Sequence, residues 1–222
     1  MNVTIILSGG SGARFGSDTP KQYHKLCGRD VIAYPIAAAQ QSQLCNHVIV
    51  AAHKPYIKYL DDTYGIECCQ GGATHNETVA NALRYVADVH PDCCHILFAD
   101  SARPLVTSEL LDKYFIQLED FDAVITTQKI TDSLGKDGEQ FVDRTGYYLI
   151  QKPEAFRFAG LSRVFDANST ATAIVQQLQP DARIDCCFDM GNNIKVTLPE
   201  DIAIAEALLS INQGLGRLGG SI

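Results

Sequence analysis

Chemistry is best supported where small or charged residues follow a predicted strand. After the apolar run Val3 to Leu7 comes Ser8-Gly9-Gly10-Ser11-Gly12-Ala13-Arg14-Phe15-Gly16, followed by Pro20-Lys21-Gln22. Glycines let backbone N–H groups approach phosphate oxygens closely, and turns of this kind form anion-binding concavities. A Gly-rich turn alone could be an ordinary solvated loop. Arg14 and Lys21 give it weight, because fixed cations aimed at a polyphosphate would stabilise the charge that builds on departing oxygens. The segment is not a P-loop, since no Gly-Lys-Ser or Gly-Lys-Thr follows, and it lacks the third glycine of the dinucleotide fingerprint at the required spacing.

Three further segments sit in comparable positions. The apolar run His95 to Ala99 ends in Asp100-Ser101-Ala102-Arg103-Pro104. A carboxylate at a strand's carboxyl end suits Mg²⁺, which takes one or two carboxylates plus substrate phosphates and water; the lesser alternative is Asp100 as a helix or turn cap. Gly71-Gly72-Ala73-Thr74-His75-Asn76-Glu77-Thr78 is a second glycine turn leading into a helix, where backbone groups could read a base edge and Thr78 a ribose or base atom. Lys195, in Gly191-Asn192-Asn193-Ile194-Lys195, would be surface decoration on its own and gains meaning from the others. Phosphoryl-type substitution needs positioning and charge neutralisation more than a strong base, so no general base is assigned and His75 is left without a required role.

The elements that must position these groups alternate along the chain, as βαβ units around a mainly parallel sheet do. Strands are predicted at Val3 to Leu7, His47 to Ala52, Ile66 to Cys69, His95 to Ala99, Ala123 to Thr127 and Asn193 to Thr197. Helices are predicted at about Val31 to Gln41, Lys54 to Thr63, Asn76 to Val86, Thr107 to Leu118, Leu161 to Leu178 and Pro199 to Leu209. Thr107 before Glu109, and Thr197-Leu-Pro-Glu-Asp, carry helix-start chemistry. Residues 129–156, polar and glycine-bearing, are expected to form a hairpin-like arm. A single domain over 1–212 and a flexible tail over 213–222 complete the expected organisation. In such a sheet ligands gather beyond the carboxyl ends of the strands, where all four segments fall.

Composition narrows the class. The 222 residues carry a formal net charge of −8, which argues against a broad nucleic-acid-binding face while leaving room for a local cationic pocket. No apolar run approaches the ~18 residues of a membrane helix, and the N-terminal stretch lacks the basic flank of a signal peptide, so a cytoplasmic protein is expected. Six of the eight cysteines form the adjacent pairs Cys68-Cys69, Cys93-Cys94 and Cys186-Cys187. Neighbouring side chains on a strand face opposite ways, so these read as small reduced hydrophobes in place of metal ligands.

In order and spacing the motifs LSGGSGARFG with PKQY, GGATHNETV, ADSARP, TDS followed by DRT, QKPEAF and NNIKVTLPED resemble the 2-C-methyl-D-erythritol 4-phosphate cytidylyltransferase family, which includes ribitol 5-phosphate cytidylyltransferases. The resemblance runs from Ile5 to about Leu209. It implies a Rossmann-like nucleotidyltransferase fold of α/β class, with a projecting β-arm exchanged in a homodimer. It also implies Mg²⁺-dependent transfer of CMP from CTP to a polyol phosphate, with release of pyrophosphate. By the same resemblance Arg14, Lys21 and Lys195 are the catalytic cations. Ser8, Gly9, Gly10, Ser11, Gly12, Gly72, Ala73 and Thr78 hold CTP, Asp100 is associated with the metal, and Arg103, Ser133 and Arg144 meet the polyol phosphate with Asp100. Arg144 is expected to come from the other subunit. The chain departs from the family pattern at His75 (Arg is usual), Ser133 (Thr), QKPE (QTPQ), Ser169-Thr170 (Thr-Asp) and Asn192 (often Asp). Gly9 and Ser101 lean towards the ribitol branch. The alternatives are a sugar 1-phosphate nucleotidylyltransferase, which shares the first-loop pattern, and a non-catalytic nucleotide-binding homologue.

Overall fold

The computed structural model describes residues 1–10 and 15–218, the last six by backbone alone. The chain forms, in order, β1 (Asn2–Ser8), β2 (Lys25–Leu26), β3 (Arg29–Asp30), α1 (Ala33–Gln41), β4 (His47–Ala52), α2 (Ile57–Tyr64), β5 (Glu67–Gln70), α3 (His75–Val89), β6 (His95–Asp100), α4 (Ser108–Gln117), β7 (Ala123–Lys129), β8 (Tyr148–Arg157), α5 (Phe158–Val164), β9 (Ile184–Cys187) and α6 (Asp201–Leu218). Seven strands make one sheet in the order β5-β4-β1-β6-β8-β7-β9, all running the same way except β8. β2 and β3 form a separate small hairpin.

The alternation along β1 shows how the sheet sorts its faces. Val3, Ile5 and Leu7 pack with Val79, Ala82 and Val86 of α3 and with Phe158 and Leu161 on one side. Ile6 packs with Ile36 and Ala39 of α1, Leu60 of α2 and Leu111 and Phe115 of α4 on the other. Burial on both faces is what an apolar, β-branched run such as Val-Thr-Ile-Ile-Leu specifies. The chain leaves β1 for β4 on one side and later returns to β6 on the other, with Leu7 in register with Asp100. That reversal opens a crevice beyond the carboxyl ends of β1 and β6.

Helix ends follow local chemistry. Thr74 accepts from the Glu77 N–H (3.1 Å) while Glu77 accepts in return from the Thr74 N–H (3.3 Å), a reciprocal cap that starts α3. Thr107 caps α4 through the Leu110 N–H (3.3 Å). Asp201 accepts from the N–H groups of Thr197 (2.7 Å) and Leu198 (2.8 Å) and so sets the entry to α6.

Four expectations change. The helix predicted over Leu161–Leu178 stops at Val164, because Asp166-Ala-Asn-Ser-Thr turns the backbone onto its own side chains, as in the Asn168 N–H to Asp166 bond (2.9 Å). Asn193–Thr197 is not a strand; it is an irregular segment pinned by the Val196 N–H to Ala102 O bond (2.8 Å) and by the Asn193 amide on Lys152 O (2.7 Å). Of the arm expected over 129–156, residues 148–157 return into the middle of the sheet as β8, with Ala155 and Phe156 fully buried, leaving 130–147 as the projecting part. The helix predicted to end near Leu209 continues to Leu218. The rest of the expected tail, 219–222, lies outside the described residues. All eight cysteines are unpaired, and burial pushes the Cys69 and Cys93 thiols up to about 12. Cys69, Cys93 and Cys187 are buried packing residues, whereas Cys27 and Cys94 are exposed.

Candidate active site

The crevice at the β1–β6 reversal is a cleft of about 370 Å³ lined by Gly9 and Gly10 from the first glycine turn, Lys21 and Gln22 from the following turn, and Ala73, Thr74, His75 and Thr78 from the start of α3. Asp100, Ser101 and Ala102 from the end of β6, with Lys195 and Thr197 before α6, close it. Of the expected site groups, the catalytic cations Lys21 and Lys195 and the metal-associated Asp100 therefore meet in one cavity. Arg14, Ser11 and Gly12 lie outside the described residues.

Asp100 is buried and is reached by Lys195 Nζ (2.9 Å) and Arg103 Nε (3.1 Å), both on Oδ2. Burial raises its pKa, but Lys195, Arg103 and Lys152 together outweigh that and hold the carboxyl well below the usual range. It is ionised at any physiological pH. Arg103 does not line the cleft as a substrate residue would. Its guanidinium turns inward, onto Asp100 and the carbonyl of Asn193, and ties the carboxylate to the segment that carries Lys195.

The two glycine turns touch each other and α3. A Cβ on Gly9 would lie 2.5 Å from Thr78 Oγ1, and one on Gly72 would lie 2.3 Å from Glu77 Cβ, so both positions need glycine for close approach. The Thr78 hydroxyl accepts from the Gly72 N–H (3.0 Å) and donates to Thr74 O (2.9 Å), while the Ala73 N–H goes to Glu77 (2.7 Å). The donors expected to read a base are thus spent on holding the turn, and Gly72 shapes the wall without lining it. Ser8 is likewise structural: its hydroxyl lies between Tyr23 (3.4 Å) and the Gln22 amide (3.3 Å), away from the cleft.

His75 projects into the cleft mouth. Desolvation first, and the cations Lys152 and Lys195 after it, lower its pKa to about 4 against the pull of Asp100. The ring is neutral at pH 7, a hydrogen-bonding group where the family pattern carries a fixed charge.

Two functional-looking groups escaped the sequence reading. Gln22 is buried, lines the cleft and donates to Gly10 O (3.4 Å), bracing the first turn; its place next to Lys21 was the only signal. Lys152 and Glu154 form a buried ion pair (2.5 Å) beneath Asp100 and His75. Lys152 and Pro153 are extra residues in β8 opposite the Ile125–Thr126 step, a bulge of the kind that re-aims side chains beside active sites. Glu154 also accepts from the Ile174 N–H (3.1 Å).

Ser133 and Arg144 are not brought to this cleft. Both are exposed on the segment 130–147, where Arg144 donates to the carbonyls of Thr131 and Asp132 (2.8 Å to the latter). Ser169 and Thr170 line an adjoining groove that shares Thr74 and His75 with the cleft.

A cleft with this layout has clear relatives. The family model described as IspD, 2-C-methyl-D-erythritol 4-phosphate cytidylyltransferase, matches residues 2–211. This chain belongs to the IspD family. A 2-C-methyl-D-erythritol 4-phosphate cytidylyltransferase of Cereibacter sphaeroides is 31% identical, covering 95% of this chain and 98% of its own. The bifunctional ribulose 5-phosphate reductase/CDP-ribitol pyrophosphorylase Bcs1 of Haemophilus influenzae is 24% identical over 93% of this chain and 48% of its own. Among solved IspD-type structures, 4-diphosphocytidyl-2C-methyl-D-erythritol synthase of Anaerococcus prevotii superposes with a TM-score of 0.80 at 23% identity, covering 95% and 96% of the two chains. The Thermus thermophilus enzyme gives 0.77 at 22% identity, covering 95% and 100%. The chain is an IspD-family nucleotidyltransferase, and its α/β fold is theirs.

Proposed function

We propose that this chain transfers CMP from CTP to 2-C-methyl-D-erythritol 4-phosphate or ribitol 5-phosphate, releasing pyrophosphate, as a cytoplasmic homodimer that uses Mg²⁺. The observation that carries the reading is the convergence of Lys21, Lys195 and the ionised Asp100 with the two glycine turns on one cleft.

An oxygen of the acceptor phosphate attacks the α-phosphorus of CTP. A P–O bond forms there as the bond to the bridging oxygen breaks, and its electron pair leaves with pyrophosphate. The acceptor is already anionic, so no side chain must remove a proton. Lys21 and Lys195 neutralise the charge that builds on the phosphoryl oxygens, and the Gly9-Gly10 backbone allows the triphosphate close approach. Lys195 rests on Asp100 (2.9 Å) and would exchange that carboxylate for phosphate when CTP enters. Asp100 suits Mg²⁺ in turn: it is ionised, and its Oδ1 has no partner among the described residues. Held by Asp100 with triphosphate oxygens and water, the ion would supply further charge neutralisation.

The acceptor end of the cleft lacks Ser133 and Arg144 from its own chain, and Phe141 and Tyr147 of the arm are exposed, as is Leu149 at the start of β8. A second copy that buried those apolar groups and brought Arg144 to the cleft would complete the site. Between the two polyols the relatives divide: the 31% identical Cereibacter enzyme supports methylerythritol and the 24% identical Haemophilus protein supports ribitol, whereas Gly9 is accounted for by Thr78 and has no bearing on the choice. Incubation with each nucleoside triphosphate, Mg²⁺ and both polyol phosphates, with sugar 1-phosphates as controls, should release pyrophosphate only with CTP and a polyol phosphate. Release with a sugar 1-phosphate, or CTP binding without any turnover, would overturn the reading.

A further inference from the structure

At the opposite end of the sheet from the cleft, three residues that are scattered in the sequence come together. His47 opens β4, Glu67 opens β5, and His90 caps the end of α3. Ile49 is the register partner of Glu67, so His47, two residues earlier, shares its face of the sheet, the one α3 covers. His90 leaves the helix with φ −125° and ψ 61°, outside the helical region. Its ring is set 4.3 Å from that of His47, centroid to centroid. One potential ligand atom from each residue lies within 4.8 Å of the others, and among the described residues this is the one such group.

The Glu67 carboxylate lies beside both imidazoles. Its Oε1 is 2.9 Å from His90 Nε2, and its Oε2 is 4.0 Å from His47 Nδ1. The Tyr85 hydroxyl donates to Oε1 (3.0 Å) and fixes the carboxylate. The 4.0 Å separation is too long for a hydrogen bond, and the His47 ring makes no hydrogen bond among the described residues. Two rings and a carboxylate oriented by a third group have the make-up of a His-His-Glu metal site, in which the hydrogen bond to the carboxylate holds it in place.

We propose that His47, Glu67 and His90 bind one divalent ion of the zinc class, with water as the remaining ligand. Imidazole nitrogens with a single carboxylate select Zn²⁺, Co²⁺, Ni²⁺ or Cu²⁺ over Mg²⁺, which prefers oxygen ligands. Ligand atoms around tetrahedral zinc lie about 3.3 Å apart. The present spread is closed by side-chain rotation, and half-exposed His47 is the residue with room to rotate. The consequence for the fold is specific. β5 is an edge strand, and it joins α3 through the Gly71-Gly72 turn at the cleft. An ion at the other end would tie the open end of this β5–α3 unit, whose closed end builds the wall of the active site.

The test uses full-length protein freed of metal with a chelator and kept reduced. Co²⁺ titration should saturate at one equivalent and give a visible ligand-field spectrum without a thiolate-to-cobalt charge-transfer band. Zn²⁺ should displace the Co²⁺ and Mg²⁺ should not. Zn²⁺ at about 100 times its dissociation constant should raise Tm by about 5–10 °C. His47→Gln should weaken binding at least tenfold while its metal-free Tm and circular dichroism match wild type, because the His47 ring is half exposed and makes no hydrogen bond among the described residues. Glu67→Gln should weaken it as well, and Asp100→Asn should leave it unchanged. The proposal is overturned by no saturable binding, by a thiolate band, by displacement with Mg²⁺, or by His47→Gln binding as wild type does.

Discussion

The buried pair Lys152–Glu154 allows a quantitative test of how the floor of the cleft is built. Their side chains are 8% and 1% exposed and 2.5 Å apart. At an effective dielectric constant of about 20 the attraction is about 6–7 kcal/mol, and desolvation of two ions offsets most or all of it. The intact pair therefore contributes little net stability, whereas breaking it strands a charge at a cost of about 3–5 kcal/mol. Lys152→Thr alone should lower Tm by about 6–20 °C for a domain of this size. Glu154→Gln alone should also destabilise the chain, by leaving the ammonium unpaired. The double variant carries Thr and Gln, the residues of the family pattern at these positions, and should lie within about 2 kcal/mol of wild type. Urea denaturation of the four proteins at pH 7, with unchanged m-values, gives the coupling, which should exceed about 2 kcal/mol. Additive single effects would show that the two charges do not compensate each other and refute the reasoning.

Lys21→Ala and Lys195→Ala should each lower kcat far more than they raise KM for CTP, measured by pyrophosphate release; a pure KM effect would remove them from the transition state. Gly9→Ala should cut activity at least tenfold through its 2.5 Å conflict with Thr78 Oγ1, and Thr78→Ala added to it should restore part of the loss. Arg144→Ala and Lys21→Ala subunits, inactive separately, should recover activity when mixed and re-formed as dimers; no recovery would argue against a shared site. His75 has a folded pKa of about 4, below the ordinary imidazole value, so the unfolded chain binds the extra proton first. Stability should fall as pH drops from about 6.5 towards 4, and His75→Gln should flatten that slope in denaturation midpoints.

The parts of the fold that were legible in the sequence are those where burial dictates residue type. β1, β4 and β6 are apolar runs covered on both faces, and β4 falls on the predicted residues. β8 was missed because Gln151, Lys152 and Glu154 make a central strand look polar. Their burial depends on a bulge and on pairing with strands distant in sequence. β9 was hidden by Asp185, whose charge is accommodated by the Gln117 amide, 2.5 Å away on α4. In the cleft, Lys21, Asp100 and Lys195 could be read because each follows a strand or precedes a helix in a recognisable motif. Direction was harder to read than location. Arg103 lies in the same motif as Asp100, yet it faces inward, because the carbonyl of Asn193 waits there.

The donor and acceptor halves of the cleft are built in different ways. Among the described residues, the groups that would surround CTP come from loops locked to the sheet: the glycine turns held by Thr78 and Glu77, Gln22 against Ser8 and Gly10, and Lys195 tied through Asp100 and Arg103. The family's acceptor residues Ser133 and Arg144 sit instead on an exposed segment whose contacts are mostly internal to it. The departures from the family pattern follow the same division. Three of the five, at 133, 152–154 and 169–170, lie on the arm, beneath the cleft or in the groove beside it, whereas His75 follows the second glycine turn at the start of α3 and PKQY carries none. A chain under constraint to bind one nucleotide, and free to vary what it is joined to, would diverge in this way. His75 apart, it is therefore the acceptor side on which this member differs from the family pattern.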